Sequence, residues 1–191
     1  MNTLLVCIAT VALGELGDKT QLLALLLAVR YRRPLPIIAG ILAATVANHL
    51  LAALLGAWVR GHIPAQYLEY GIGASFLAVA LWTLHPDSLD DDGASQESRF
   101  GLFGLTLVSF FLAEVGDKTQ IATALLAARF GQPLLVVSGT TLGMLLVDIP
   151  SVLFAQRLAG SIRLSGMRLA AALVFGALGA AAFVRGATGS F

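Results

Sequence analysis

Six long apolar stretches dominate the chain, at about residues 2–29, 34–59, 66–84, 100–128, 133–156 and 168–185. A helix needs about 20 mostly apolar residues to cross the hydrocarbon core of a bilayer. These stretches are too long and too uniformly apolar to be the strands of a membrane barrel. Only 12% of the residues are charged, against about 25% in soluble domains. The sequence therefore predicts an all-α integral membrane protein with six transmembrane helices.

The two halves of the chain share polar, charged, proline and glycine residues at a constant spacing of 99 positions. The shared set is Glu15, Gly17, Asp18, Lys19, Thr20, Gln21, Arg30, Pro34 and Gly40, which recur as Glu114, Gly116, Asp117, Lys118, Thr119, Gln120, Arg129, Pro133 and Gly139. Because each half holds three apolar stretches, the second copy must enter the membrane in the opposite sense. Inverted repeats of this kind occur in secondary transporters. We therefore expect two inverted three-helix repeats, residues 1–84 and 100–191, joined by an acidic linker, residues 85–99.

The arginines of the predicted loops indicate the orientation, because cytoplasmic loops are enriched in basic residues. With both termini outside, the inner loops hold seven arginines and the outer segments hold three, Arg60, Arg129 and Arg185. This asymmetry predicts that both termini lie outside and that the acidic linker lies in the cytoplasm.

Five of the eleven carboxylates fall inside apolar stretches, and so do both lysines, Lys19 and Lys118. The five acids are Glu15, Asp18, Glu114, Asp117 and Asp148. A charged side chain at that depth costs about 2.5–3.5 kcal/mol on insertion scales. Two matched sets of such charges predict a functional site within the membrane.

The spacing of the acids indicates what they bind. On a continuous helix, Glu15 and Asp18 share one face, and Lys19 lies beside them. Each motif then carries a formal charge of −1, so two facing motifs balance one divalent cation. Oxygen ligands suit hard ions such as calcium, magnesium and manganese. We therefore predict that the metal is bound by Glu15, Asp18, Glu114 and Asp117.

Further polar residues are predicted to support this site or to complete its ligand shell. They are Lys19, Thr20, Gln21, Lys118, Thr119, Gln120, Asn48 and Asp148. Gly17 and Gly116 allow either a close approach of helices or a local break in the helix. Asp148, whose repeat partner is His49, is expected to be protonated, paired with His49 or part of the metal site. The purely structural alternative is that Glu15–Lys19 and Glu114–Lys118 are internal ion pairs, which leaves Asp18 and Asp117 without partners.

The duplicated Glu-x-Gly-Asp-Lys-Thr hexapeptide resembles the signature of the GDT family of membrane transporters, which exchange manganese or calcium ions for protons. The resemblance covers essentially the whole chain. It implies that the acids of both motifs bind the cation and that the chain exports manganese across a prokaryotic inner membrane.

The sequence thus favours a secondary transporter that exchanges Mn²⁺, or alternatively Ca²⁺, for protons. Its expected partners are the cation, protons and the lipid bilayer, with no cofactor besides the transported ion and no nucleic acid. A metal-dependent enzyme within the membrane and a membrane assembly or scaffold protein are the alternatives from other classes. No G-x-x-x-x-G-K-[ST] motif is present, which argues against an ATP-driven pump. The oligomeric state stays open.

Overall fold

The computed structural model of the chain describes residues 2–84, 101–155 and 164–189. These ranges contain eight α-helices and no strand. The helices are α1 (Thr3–Glu15), α2 (Lys19–Tyr31), α3 (Pro34–His62), α4 (Ala65–Thr83), α5 (Gly101–Glu114), α6 (Lys118–Phe130), α7 (Pro133–Leu153) and α8 (Leu164–Thr188). The prediction of an all-α fold is confirmed for the described residues. The predicted acidic linker lies outside them.

Two of the described helices, α3 and α7, are each long and apolar enough to cross a membrane. Both begin with a proline, Pro34 and Pro133, whose fixed φ suits the first turn and whose missing N–H is not needed there. Helices α1 and α5 are apolar but shorter. The arrangement of six membrane spans therefore stays a prediction.

The expectation of one continuous helix in each motif-bearing stretch is wrong. Helix α1 ends at Glu15 and α2 begins at Lys19, and the same break separates α5 from α6. Gly17 has φ 80° and Gly116 has φ 76°, and a right-handed helix cannot continue through a positive φ. Of the two roles considered for these glycines, the structure supports the local break. Glu15 and Asp18 therefore do not share the face of one helix.

Small residues let the long helices approach the short ones closely. Helix α3 packs along α5, where a Cβ added at Gly40 would lie 2.7 Å from the Cβ of Thr106. Helix α7 packs along α1, where a Cβ at Gly139 would lie 2.7 Å from the Cβ of Cys7. Close approach at small residues is typical of helix packing in membranes. The repeated glycines thus mark two equivalent helix contacts, each between one half of the chain and the other.

The surface of the bundle is apolar, whereas its centre is charged. Large side chains such as Leu35, Leu112 and Leu134 are at least two-thirds exposed. The five acids of the apolar stretches are each at most 1% exposed. A water-soluble protein distributes these groups the other way round. The arrangement suits a hydrocarbon solvent outside and a polar site inside.

Candidate metal centre

The two helix breaks meet, and each lysine contacts the aspartate of the other motif. Lys118 Nζ lies 2.6 Å from Asp18 Oδ1, and Lys19 Nζ lies 3.2 Å from Asp117 Oδ1. Such reciprocal contacts, in which the repeat partners exchange roles, are the pattern of a two-fold relation. The two halves therefore face each other across an approximate two-fold axis.

This crossing corrects the view that each lysine serves its own motif. Asp18 and Asp117 were the acids that the structural alternative left without partners, and the structure pairs both with a lysine. The reason is the break, which places each lysine at the start of a new helix, where it meets the aspartate of the opposite motif. Unpaired aspartates are therefore no longer an argument against ion pairs that only hold the helices together. The choice between such ion pairs and a metal site depends on the remaining acids.

Three of the four predicted metal-binding acids come together. Glu15, Asp18 and Asp117 each offer one carboxylate oxygen, and these oxygens lie within 4.8 Å of one another. Thr20 Oγ1 donates a hydrogen bond of 2.5 Å to Glu15 Oε2, while Glu15 Oε1 is buried and has no hydrogen-bond partner among the described residues. A buried carboxylate oxygen without a partner is costly. This oxygen is therefore available to a cation.

The fourth acid, Glu114, lies outside this group of three. Its Oε1 accepts a hydrogen bond from Thr45 Oγ1 at 3.2 Å, and its Oε2 accepts one from Asn48 Nδ2 at 3.1 Å. Asn48 therefore positions a carboxylate through its amide nitrogen. Thr119 is the repeat partner of Thr20, but its hydroxyl donates to the aspartate of its motif, Asp117 Oδ2, at 3.3 Å and not to the glutamate.

The two glutamines support the helix breaks. Gln21 Oε1 accepts a hydrogen bond from the Gly17 N–H, and Gln120 Oε1 accepts one from the Gly116 N–H, both at 2.7 Å. Their amide nitrogens then donate to the neighbouring long helices, that of Gln21 to Ser151 Oγ at 3.1 Å. Each oxygen accepts a hydrogen bond from the backbone, so both residues support the breaks that shape the site. Their role as neutral oxygen ligands stays a prediction.

Asp148 and His49 are buried and lack hydrogen-bond partners in the described part of the chain. Both carboxylate oxygens of Asp148 and both ring nitrogens of His49 are without one, and each residue is at most 1% exposed. Their direct pairing is therefore not observed. Asp148 lies close enough to Glu15, Asp18 and Glu114 to interact with their charges. It belongs to the same electrostatic cluster.

Sequence reasoning missed two residues of this network, Thr45 and Ser151. Thr45 precedes Asn48 by three positions and Ser151 follows Asp148 by three, so each shares a helix face with a predicted residue. That spacing was the available signal. Thr45 Oγ1 also lies 3.1 Å from the sulfur of Met144, its own repeat partner. Contact between repeat partners places the approximate two-fold axis at this point.

The two sides of the site are not equivalent. The Lys118 side chain is 2% exposed, whereas that of Lys19 is 26% exposed. Helix α3 touches α6 so closely that a Cβ at Gly56 would clash with the Ala124 carbonyl oxygen. Between the corresponding helices, α7 and α2, there is instead a cavity of about 350 Å³ at Ala28 and Val152. The described bundle is thus more closely packed, and in that sense closed, between α3 and α6 than between α2 and α7.

Comparison with known proteins identifies the family of the chain. The model of the family described as divalent cation/proton antiporter GDT1 matches residues 3–91 and again residues 102–190. The chain belongs to this family. The second match begins at residue 102 and the first at residue 3, which is the shift of 99 positions seen in the motifs. The resemblance is confirmed, and the family is one of transporters and not of enzymes.

The chain is similar to named relatives over most of its length. A Vibrio cholerae protein, whose name gives manganese export as an inferred role, is 49% identical over 176 residues, which are 92% of this chain and 87% of that protein. A GDT1-like protein of Synechocystis is 31% identical over 185 residues, covering 86% of this chain and 88% of that protein. A GDT1-like protein of Arabidopsis thaliana is 28% identical, with 88% and 89% covered. No solved structure matches the chain.

Proposed function

We propose that this chain exports Mn²⁺ from the cytoplasm in exchange for protons. The observation that carries the proposal is the convergence of Glu15, Asp18 and Asp117, three buried acids from both repeats, with ligand oxygens within 4.8 Å of one another. Carboxylate oxygens bind Mn²⁺ and Ca²⁺ alike. The Vibrio cholerae relative, named for manganese, favours Mn²⁺ over Ca²⁺ as the cargo.

The charge of the cluster supports proton exchange. Five carboxylates and two ammonium groups carry a formal charge of −3 when all are ionised. A divalent cation leaves −1, which one proton neutralises. Uncompensated charge is costly at this depth, so the cation and protons compete for the same acids. Lys19 and Lys118 hold the aspartates together while the metal is absent, and at least one ammonium group moves aside when it binds.

The membrane arrangement that we propose is six spans in two inverted repeats, with each broken helix pair forming one span. In this arrangement, with both termini outside, the cavity between α2 and α7 opens to the cytoplasm beside Arg32 and Arg33. The described bundle then corresponds to a state that takes up the metal from inside. Release follows when α2 and α7 close and α3 and α6 separate, as alternating access between inverted repeats requires.

Exchange in proteoliposomes tests the proposal. Glu15→Gln, Asp18→Asn and Asp117→Asn each remove one charge from the cluster without changing its size, so each is expected to lower Mn²⁺-driven proton flux at least tenfold. Asp90→Asn, the same change in the predicted linker, is the control and should retain wild-type flux. Wild-type flux in all three site variants would refute the proposed site. Mn²⁺ binding without any flux in the wild-type protein would refute transport.

A further inference from the structure

A second charged cluster lies at the ends of the helices, away from the metal centre. Arg60 near the end of α3, Arg129 near the end of α6 and Arg185 near the end of α8 line one cavity of about 140 Å³ together with Glu69 of α4. These are the three arginines that the sequence assigns to the outer side. Three guanidinium groups and one carboxylate give the cavity a formal charge of +2.

The hydrogen bonds of this cluster are incomplete. Arg60 Nη1 donates to the carbonyl oxygens of Ala128 and Arg129, each at 2.7 Å, and thereby caps α6. Arg185 Nε lies 3.8 Å from Glu69 Oε1. Among the described residues, Nε and Nη1 of Arg129 are buried without a hydrogen-bond partner. Unsatisfied buried donors of a charged group are costly, and a guanidinium N–H binds phosphate oxygens through charge-assisted hydrogen bonds.

An apolar groove continues from this cavity along the bundle. It has a volume of about 250 Å³, lies between α3, α4 and α6, and shares Ile63 and Leu68 with the basic cavity. On α4 it extends from Leu68 to Ser75, about 10 Å at the helical rise of 1.5 Å per residue. Tyr67 at its edge is 69% exposed. The groove therefore opens on the apolar outer surface.

We propose that this cavity and groove together bind one anionic phospholipid. The arginines bind its phosphate, with Arg129 as the principal donor, and an acyl chain lies in the groove. The cavity holds several groups of the size of water, which takes up about 30 Å³ in the liquid, so a phosphate fits. Basic pockets between membrane helices on the cytoplasmic side bind anionic lipid headgroups, and the same charge attraction acts on a headgroup of the outer leaflet. A soluble anion would need the arginines but not the apolar groove that adjoins them.

The proposed lipid also has a structural consequence. Gly56, which touches Ala124 where α3 and α6 close, lines the same groove. A lipid bound there packs against this contact and stabilises the closed side of the bundle. The inference rests on the membrane placement in the proposed function but not on the identity of the transported ion.

The test is the retention of lipid by the purified full-length protein, measured by native mass spectrometry after exchange into phosphatidylglycerol or phosphatidylcholine. We expect phosphatidylglycerol to be retained at least fivefold more. Arg129→Gln should weaken this retention about tenfold, the loss that corresponds to a hydrogen bond to a charged group. The control is Arg30→Gln. Arg30 is the repeat partner of Arg129 but does not line the cavity, so this variant should leave retention unchanged.

A second variant tests the groove. Gly71 lines it, and a Cβ added there meets no atom within 4 Å, so Gly71→Leu places an apolar side chain in the groove from a position with room for its Cβ. It should weaken retention of long-chain phosphatidylglycerol and leave binding of inorganic phosphate unchanged. Equal retention of both lipids, equal losses in Arg129→Gln and Arg30→Gln, or wild-type retention in Gly71→Leu would refute the proposal. Because lipid retention is measured without transport, its failure is distinguishable from failure of Mn²⁺–proton exchange.

Discussion

Loss of the Lys118 ammonium group is the perturbation for which the structure predicts the clearest contrast. Lys118 and Asp18 form a pair at 2.6 Å, with side chains 2% and 0% exposed. The repeat-related pair, Lys19 and Asp117, lies at 3.2 Å, and its lysine is 26% exposed. Lys118→Met and Lys19→Met therefore make the same chemical change in two different environments.

The expected magnitudes follow from burial. Removing one partner of a buried ion pair costs about 3–5 kcal/mol, because the remaining charge is left uncompensated. An exposed pair contributes about 0.2–1 kcal/mol. The Lys19 side chain is 26% exposed whereas that of Asp117 is 1% exposed, so loss of Lys19 costs more than an exposed pair contributes but less than loss of Lys118. For a chain of this size, 1 kcal/mol shifts Tm by about 2–4 °C. Lys118→Met should thus lower Tm by about 6 °C or more, and Lys19→Met by clearly less.

Thermal unfolding in detergent, in a metal-free buffer, measures both shifts. The double variant Lys118→Met with Asp18→Asn removes both charges, and asparagine is close to aspartate in size. It should recover most of the stability lost in Lys118→Met. Equal Tm losses in the two single lysine variants, or no recovery in the double variant, would show that the Lys118–Asp18 contact does not have the assigned energy.

Two further predictions concern coupling and topology. Asp148→Asn should weaken the dependence of transport on a pH gradient more than it weakens Mn²⁺ binding, because its buried carboxylate carries the charge that the metal leaves uncompensated. If Mn²⁺ affinity and proton-driven flux fall in parallel across a pH series, Asp148 is an ordinary ligand. Cysteines placed at Ser95 and Thr188 should react with impermeant reagents from opposite sides of the membrane, since an odd number of spans separates them. Labelling of both from one side would contradict the inverted repeat.

The sequence by itself determined the helical class, the duplication and the acids at the centre of the bundle. Hydrophobicity is a local property, so the apolar stretches could be located without tertiary information. A charge inside such a stretch is costly in any tertiary arrangement of the chain, and this is why Glu15, Asp18 and Asp117 could be identified from the sequence. The repeated hexapeptide was specific enough to indicate the family.

Only the tertiary structure decided how these residues meet. A glycine in an apolar stretch is compatible with close packing or with a break, and the positive φ of Gly17 and Gly116 is observed in the folded chain alone. The break carries Lys19 away from its own motif, so its contact with Asp117 depends on how the two halves dock. Residues almost a hundred positions apart come together through long-range packing, which hydrophobic periodicity does not encode.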